Sequence, residues 1–354
     1  MNTLKELQDK ALFLLQQLIQ TPSFSGEEEQ TALLLEQWLA QFQIKTQRTH
    51  NNVWAKNKYF DEQKPTILLN SHHDTVKPNK AYTKDPFDAS IEEGKLYGLG
   101  SNDAGASLVS LMSLFVYYHQ QKELNYNLVI AATGEEESSG EHGLNNLLAT
   151  LPKIDFAVVG EPTLMQLAIA EKGLLVIDGY AKGIAGHAAH ENTDNAIYHA
   201  IKDILWIKDY EFPKISKTLG KIKMNVTQVE AGEQHNVVPA SCHFVIDVRI
   251  TDQYTNQEVF NFLDKKTTST LKARSFRHNS SSIPIAHPIV QAAIELGKST
   301  YGSPTLSDQS VLSCPSLKLG PGDSTRSHSA NEYVYVQEVK EGIAFYIELF
   351  SKIL

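Results

Sequence analysis

Cysteine is almost missing from this chain. Only Cys242 and Cys314 occur in 354 residues, far apart in sequence. That argues against a disulfide framework and against thiolate zinc ligation. Long apolar runs are missing too: no stretch approaches the ~18 residues of a membrane span. Basic clusters are also absent. The formal net charge is −9, with both signs scattered, so neither nucleic acid nor an anionic membrane is an expected partner. No internal repeat or low-complexity tract interrupts the sequence. The opening MNTLKELQDKALFLLQQLIQTP does not read as a signal peptide. Leu4, Leu7, Ala11, Leu14, Leu15 and Leu18 fall at helical spacing among Glu, Asp and Gln, predicting an amphipathic helix ended by Pro22. A soluble cytoplasmic protein is expected.

Apolar residues are plentiful, at 42%, and at ~150 residues per domain the length suggests about two domains. Ser25-Gly26-Glu27-Glu28 reads as a capping box opening a second helix through Trp38 and Leu39. Apolar strand candidates follow at Thr66–Asn70, Leu128–Thr133 and Phe156–Val159, with helical patterns at 104–119 and 143–149. This alternation predicts an α/β fold: a mixed, mostly parallel sheet flanked by helices. After about residue 175 the pattern changes. Leu174–Tyr180, Val226–Glu230 and Cys242–Ile250 read as β segments around a helix near 194–208. Helical spacing resumes at 287–298 and again before Leu354. A discontinuous catalytic domain (1–175 and 287–354) interrupted by a smaller α+β domain (176–286) accounts for this order.

Acidic and histidine residues recur just after the strand candidates. His72 and Asp74 follow the first, Glu135 and Glu136 the second, Glu161 the third. Asp103 lies in GLGSND ahead of a helix, and His328 in a Gly/Pro/Ser loop. Each alone reads as a turn, a cap or a solvated surface. Together they would converge on one rim of the sheet, where such folds bind ligands. Two histidines with several carboxylates and no thiolate suit Zn²⁺, Co²⁺ or Mn²⁺. One carboxylate shared between two ions, with a spare carboxylate as general base, would make a hydrolytic centre.

These residues resemble the dinuclear zinc aminoacylase and exopeptidase family that contains acetylornithine deacetylase, succinyl-diaminopimelate desuccinylase and carboxypeptidase G. SHHDTV, LYGLGSNDAGA, TGEEESSG, VVGEPT and GPGDSTRSHSANEY match its motifs in order, over nearly the whole chain. The resemblance implies that His72, Asp103 and Glu161 hold one metal, and Asp103, Glu136 and His328 the other. Glu135 would be the general base, and Asp74 would orient His72 through a hydrogen bond. His73 is expected to be structural. The family's lysine after the bridging aspartate is missing from Asp103-Ala104-Gly105-Ala106, and Gly134 stands where the family often has Asp before its double glutamate.

The inserted domain matches as well. GIAGHAAHENTDNAI resembles the segment whose histidine stabilises the oxyanion, here His187, and GEQHNVVPASCHFVIDVR the segment whose asparagine contacts substrate, here Asn236. For the substrate carboxylate, Arg274, Arg277 and Arg326 compete, with Arg277 favoured. The resemblance thus implies two divalent ions, Zn²⁺ or Co²⁺, and a homodimer formed through the inserted domain. It further implies removal of the acyl group from an N-acyl amino acid, N-acetylornithine first, in arginine biosynthesis. N-succinylornithine, N-acetylcitrulline, succinyl-diaminopimelate, acetyl-lysine and dipeptides are the alternative substrates. A non-catalytic metal- or amino-acid-binding protein and a dinuclear phosphoesterase are the rival classes.

Overall fold

The computed structural model describes residues 3–191 and 194–354; Met1, Asn2, Asn192 and Thr193 lie outside it. The chain forms two compact units. One comprises Met1–Ile169, Ser282–Tyr301 and Ser307–Leu354, the other Ala170–Ser281 and Gly302–Leu306. The second unit thus spans most of the expected insertion 176–286 and takes in Ala170–Leu175 and Gly302–Leu306 as well. The reason is local bonding. The Lys172 amide donates to Ser303 O at 3.1 Å, and the Ser280 hydroxyl to Glu171 O.

The first unit is built on a mixed sheet. Thr66–His72 pairs in parallel with Asn127–Thr133 on one side and Phe156–Val159 on the other. Ser316–Lys318 adds in parallel beyond Phe156–Val159, and Leu167–Glu171 pairs with it antiparallel. Asn52–Lys56 closes the other side antiparallel to Asn127–Thr133. Every residue of Thr66–His72 and Asn127–Thr133 is buried, as a sheet covered on both faces requires. Side chains alternate across it. Ile67, Leu69, Leu128, Ile130 and Val158 join one core cluster, while Leu68, Val129, Ala131 and Ala157 join another.

Helices Leu4–Ile19, Ala106–Tyr118 and Val336–Phe350 cover the larger core. The first has a true capping box. The Thr3 hydroxyl accepts from the Glu6 amide at 3.2 Å, and the Glu6 carboxylate accepts from the Thr3 amide at 2.8 Å. The box expected at Ser25–Glu28 does not form. Glu28 is itself the residue before helix Glu29–Ala40 and makes no side-chain cap, because Ser25 and Glu28 are committed elsewhere. Ala106–Tyr118 is buried nearly all round; Ser110 and Ser113 satisfy their hydroxyls on carbonyls four residues back, at 2.7 and 2.8 Å. The helix expected over 143–149 shortens to Leu144–Leu147. Among the described residues no helix is long and apolar enough to cross a membrane.

The second unit is a four-stranded antiparallel sheet ordered Lys223–Ala231, Ser241–Ile250, Gly173–Lys182, Thr270–Ala273. Burial alternates along Gly173–Lys182. Helices Ala196–Asp209 and Asn256–Lys266 cover the apolar face, where Leu175, Ile177, Phe244, Ile246 and Val248 meet Ala200, Ile207, Val259 and Leu263. The opposite face carries a polar cluster. Asp178 bonds Arg274 twice, at 2.8 and 2.9 Å, and His243 at 2.9 Å. Tyr198, Ile201 and Leu205 leave an exposed apolar stripe on Ala196–Asp209.

Candidate metal centre

The first unit gathers its titratable side chains where its parallel strands end. His72 is the last residue of Thr66–His72. The Glu135–Glu137 run follows Asn127–Thr133, and Glu161 follows Phe156–Val159 by two residues. Asp103 sits in the turn Ser101–Gly105 ahead of helix Ala106–Tyr118. The glycines of that motif have a steric reason. Gly100 holds φ at +75°, and a Cβ there would lie 2.6 Å from Thr75 Cγ2.

Asp103 presents its two oxygens to two different partners. His72 Nε2 lies 3.3 Å from Oδ1, and His328 Nε2 lies 3.6 Å from Oδ2. Glu161 Oε1 stands 4.0 Å from His72 Nε2, while Glu137 Oε2 stands 2.9 Å from His328 Nε2. Donors held about 2.0–2.2 Å from a tetrahedral Zn²⁺ are about 3.3–3.6 Å apart. The observed separations bracket that value. All donors are oxygen or imidazole nitrogen, which suits Zn²⁺, Co²⁺ or Mn²⁺. Side chains of His72, Asp103, Glu137 and Glu161 are at most 13% exposed, whereas His328 is more than half exposed.

The structure brings His72, Asp103, Glu161 and His328 together, but moves the glutamate register by one. Glu137, not Glu136, faces His328 and forms a metal-competent group with His72 and Asp103. Glu135, expected as the base, turns its carboxylate onto the His142 amide at 3.0 Å. Its own amide donates to Glu28 at 3.1 Å. Glu136 stands between these two in sequence. Desolvation, then repulsion from Glu161, Asp308 and Glu137, drives it well above the usual carboxylate range, against the pull of His72. The shift also removes the apparent departure at Gly134. Glu135 becomes the acidic residue ahead of the glutamate pair, as in the family pattern. That residue was the available signal for the register, since three identical glutamates carry none. Gly134 is small for another reason: a Cβ would meet the Glu28 carboxyl carbon at 3.0 Å.

Asp74 does more than orient His72. The nearest partner of His72 Nδ1 is the Asp74 carbonyl, at 3.0 Å, with the carboxylate at 3.4 Å. This contact assigns the proton to Nδ1 and leaves Nε2 for a ligand. The Asp74 carboxylate accepts from the Glu136 and Glu137 amides, both at 3.1 Å, and from the Ser25 hydroxyl at 2.6 Å. Burial pushes Asp74 up, but His72, Ser25 and the Glu137 amide outweigh it and hold the carboxyl below its ordinary value. His73 is structural. Its Nδ1 meets the Thr31 hydroxyl at 2.9 Å and its Nε2 the Asn51 carbonyl at 3.0 Å.

Elsewhere the site is strongly acidic. Burial and then Asp103 raise Glu161 to about 8. The hydrogen bond to Glu137 raises His328 to about 9. Carboxylates that raise one another in this way are stabilised by cations placed among them. Glu28 and Glu332 were not anticipated. Both are buried and both hold backbone amides of the site loops.

The arginines separate clearly. Arg326 is committed to Glu338 by two bonds, at 2.7 and 3.0 Å, and lies over the Tyr333 ring. Of the three competing arginines, Arg326 thus has its guanidinium engaged within the chain. Arg274 is occupied by Asp178. Arg277 is exposed. In the second unit His187 and Asn236 come together. His187 pairs with Val237 in a two-stranded ladder, and the Ala188 amide donates to Asn236 O at 2.9 Å. The Ala189 amide donates to His187 Nδ1 at 3.1 Å, so Nε2 is the nitrogen left to carry a proton.

The chain has known relatives. An acetylornithine deacetylase of Proteus mirabilis is 29% identical, covering 95% of this chain and 96% of the relative. A succinyl-diaminopimelate desuccinylase of a Wolbachia endosymbiont of Culex pipiens is 27% identical, over 80% and 78%. A Bacillus subtilis structure described as a dinuclear metal-binding peptidase of the M20 family superposes with a TM-score of 0.74 at 16% identity, over 98% of each chain. The sequence profile of peptidase family M20/M25/M40 matches residues 68–352. On this match, the chain belongs to peptidase family M20/M25/M40 and is a metallohydrolase.

Proposed function

We propose that this protein is a dinuclear metal-dependent amidohydrolase that removes the acyl group from an N-acyl amino acid, with N-acetylornithine its first candidate. The observation that carries this reading is the placement of the two Asp103 oxygens, one facing His72 and one facing His328. One ion would be held by His72, Asp103 and Glu161, the other by Asp103, Glu137 and His328. Zn²⁺ is favoured and Co²⁺ is the alternative. Bound there, the two ions supply polarisation of the scissile carbonyl and a lowered pKa for the attacking water.

The chain's own residues do the rest. Glu136 takes the proton from the attacking water and passes it to the leaving amine. Burial lifts its carboxyl above the usual carboxylate range, which strengthens it as a proton acceptor. Asp74 fixes Glu136 and Glu137 through their amides and fixes His72 through its Nδ1–H. His187 donates to the developing oxyanion, Asn236 contacts the substrate, and Arg277 binds its carboxylate. The ladder joining His187 to the Asn236 segment supports assigning those two to one task. A homodimer through the second unit is supported by the exposed stripe of Tyr198, Ile201 and Leu205. The proposed setting is cytoplasmic arginine biosynthesis.

Amine release from N-acetyl- and N-succinyl-ornithine, -citrulline, -lysine and -diaminopimelate tests this with metal-loaded protein. N-acetylornithine should turn over best. Turnover of phosphate esters with no amide hydrolysis would overturn the reading.

A further inference from the structure

Glu332 lies four residues beyond His328 and is 1% exposed. It takes no part in the chemistry proposed above, yet it holds three backbone amides. Its Oε1 accepts from Asn102 N and Asp103 N, both at 2.9 Å, and its Oε2 from Gly100 N at 3.2 Å. Its carbonyl accepts from Gly98 N at 2.9 Å. Asn102 returns the contact. Its side chain accepts from Asp323 N at 3.0 Å and donates to Asp323 O and Ser327 Oγ at 3.1 and 3.3 Å. The loop 98–103 and the segment 323–332 are thus laced together across the chain, with Asp103 on one side and His328 on the other. Burying a carboxylate is costly unless its oxygens are hydrogen-bonded. Here both oxygens are bonded, and both to the loop that carries Asp103.

We infer that Glu332 is a positioning residue that sets the spacing between Asp103 Oδ2 and His328 Nε2, and so the affinity for the second of the two ions. The inference rests on the dinuclear reading. It separates the two ions. The set His72, Asp103 and Glu161 includes no residue from the 323–332 segment. The set Asp103, Glu137 and His328 spans both sides of the lacing. Loss of Glu332 therefore weakens the second set more than the first.

The test is Co²⁺ titration of metal-free protein, followed by calorimetry and visible absorption. Wild type should take up two ions. Glu332→Ala should bind the second ion about 10–100-fold more weakly, the range for residues that orient metal ligands, with the first within about threefold. Glu332→Gln keeps an oxygen for the Asn102 and Asp103 amides and loses only the Gly100 bond, so its affinity should fall between those of wild type and the alanine variant. Wild-type affinity for both ions in Glu332→Ala, or equal weakening of both, overturns the inference. If Glu332→Ala does not fold, Glu332→Gln and Glu332→Asp decide the matter. Selective weakening of the second ion supports positioning, and unchanged binding in both refutes it. Fewer than two ions in wild type would overturn the dinuclear reading itself, and this inference with it.

Discussion

Replacing Glu135, Glu136 and Glu137 by glutamine, one at a time, separates three roles. Glu137 lies 2.9 and 3.1 Å from His328 Nε2 and joins His72 and Asp103 in the candidate cluster. Without its charge the second ion keeps two protein ligands. Its affinity should fall by at least about 100-fold, beyond what loss of an orienting residue costs. Glu136→Gln keeps shape and ligands but cannot take a proton. Both ions should remain while kcat falls about 10²–10⁴-fold, which is about 3–5 kcal/mol of transition-state stabilisation. Glu135→Gln still offers an oxygen to the His142 amide, now 3.0 Å from Oε2. It should cost no more than about 1 kcal/mol of stability and leave kcat within about threefold. Ion content after desalting and kcat on an N-acyl amino acid read all three variants. Loss of an ion in Glu136→Gln, together with a collapse of kcat in Glu135→Gln, would refute the shifted register.

Other outcomes follow from the same geometry. Arg326→Ala should lose about 1–3 kcal/mol of stability by removing the cation paired with Glu338, which keeps only the Tyr335 amide, with KM nearly unchanged; a KM raised a hundredfold would return Arg326 to the substrate. His187→Ala should keep its ions and lose about 10²–10³-fold in kcat. Mixed with Glu136→Gln under subunit exchange it should recover about a quarter of wild-type activity, one good site in half the dimers. No recovery would mean that His187 does not act across a dimer. Arg274 chiefly, then His243, holds the Asp178 carboxyl down to about 2 from 3.8. A depressed carboxylate stabilises above its unfolded value and loses that contribution as pH falls through the folded one. The stability gap between wild type and Asp178→Asn should be about 1 kcal/mol above pH ~5, discounted because Arg274 is half exposed, and should close toward pH ~2. A gap that does not change with pH would refute the assignment.

The strands were legible because burial on both faces demands continuous apolar runs, and Ile67–Leu69 and Leu128–Ala132 have little other use. His72, Asp103, Glu161 and His328 were legible through motif order. The glutamate register was misread, because the acidic residue that marks it is here a third glutamate, and identical side chains differ only in which way the loop turns. Amide bonds to Asp74 and Glu28 set that turn. Glu28 and Glu332 were illegible for a related reason. A carboxylate that binds backbone amides needs no particular side chain as partner, so nothing in its partner segment announces it. The helix Asn256–Lys266 also went unread, since its apolar residues are few and polar ones surround them. Ser25–Glu28 misled in the opposite direction. It has the letters of a cap, but its hydroxyl and carboxylate serve the loops at Asp74 and Glu135.

Ser316–Lys318 stands between Phe156–Val159 and Leu167–Glu171 in the sheet, and this order has a consequence for biosynthesis. On a ribosome adding ~5–20 residues per second, the chain between those segments takes on the order of ten seconds to make. Throughout that interval Phe156–Val159 has no neighbour on one side. Its unpaired amides and carbonyls, flanked by apolar side chains, form an open template for another nascent chain. His72, Asp103 and Glu161 have already emerged, while His328 comes last, so of the two proposed donor sets one is made long before the other. A polypeptide interrupted before residue 316 would keep both the open edge and the half-built centre, and is the species on which chaperones and proteases should act.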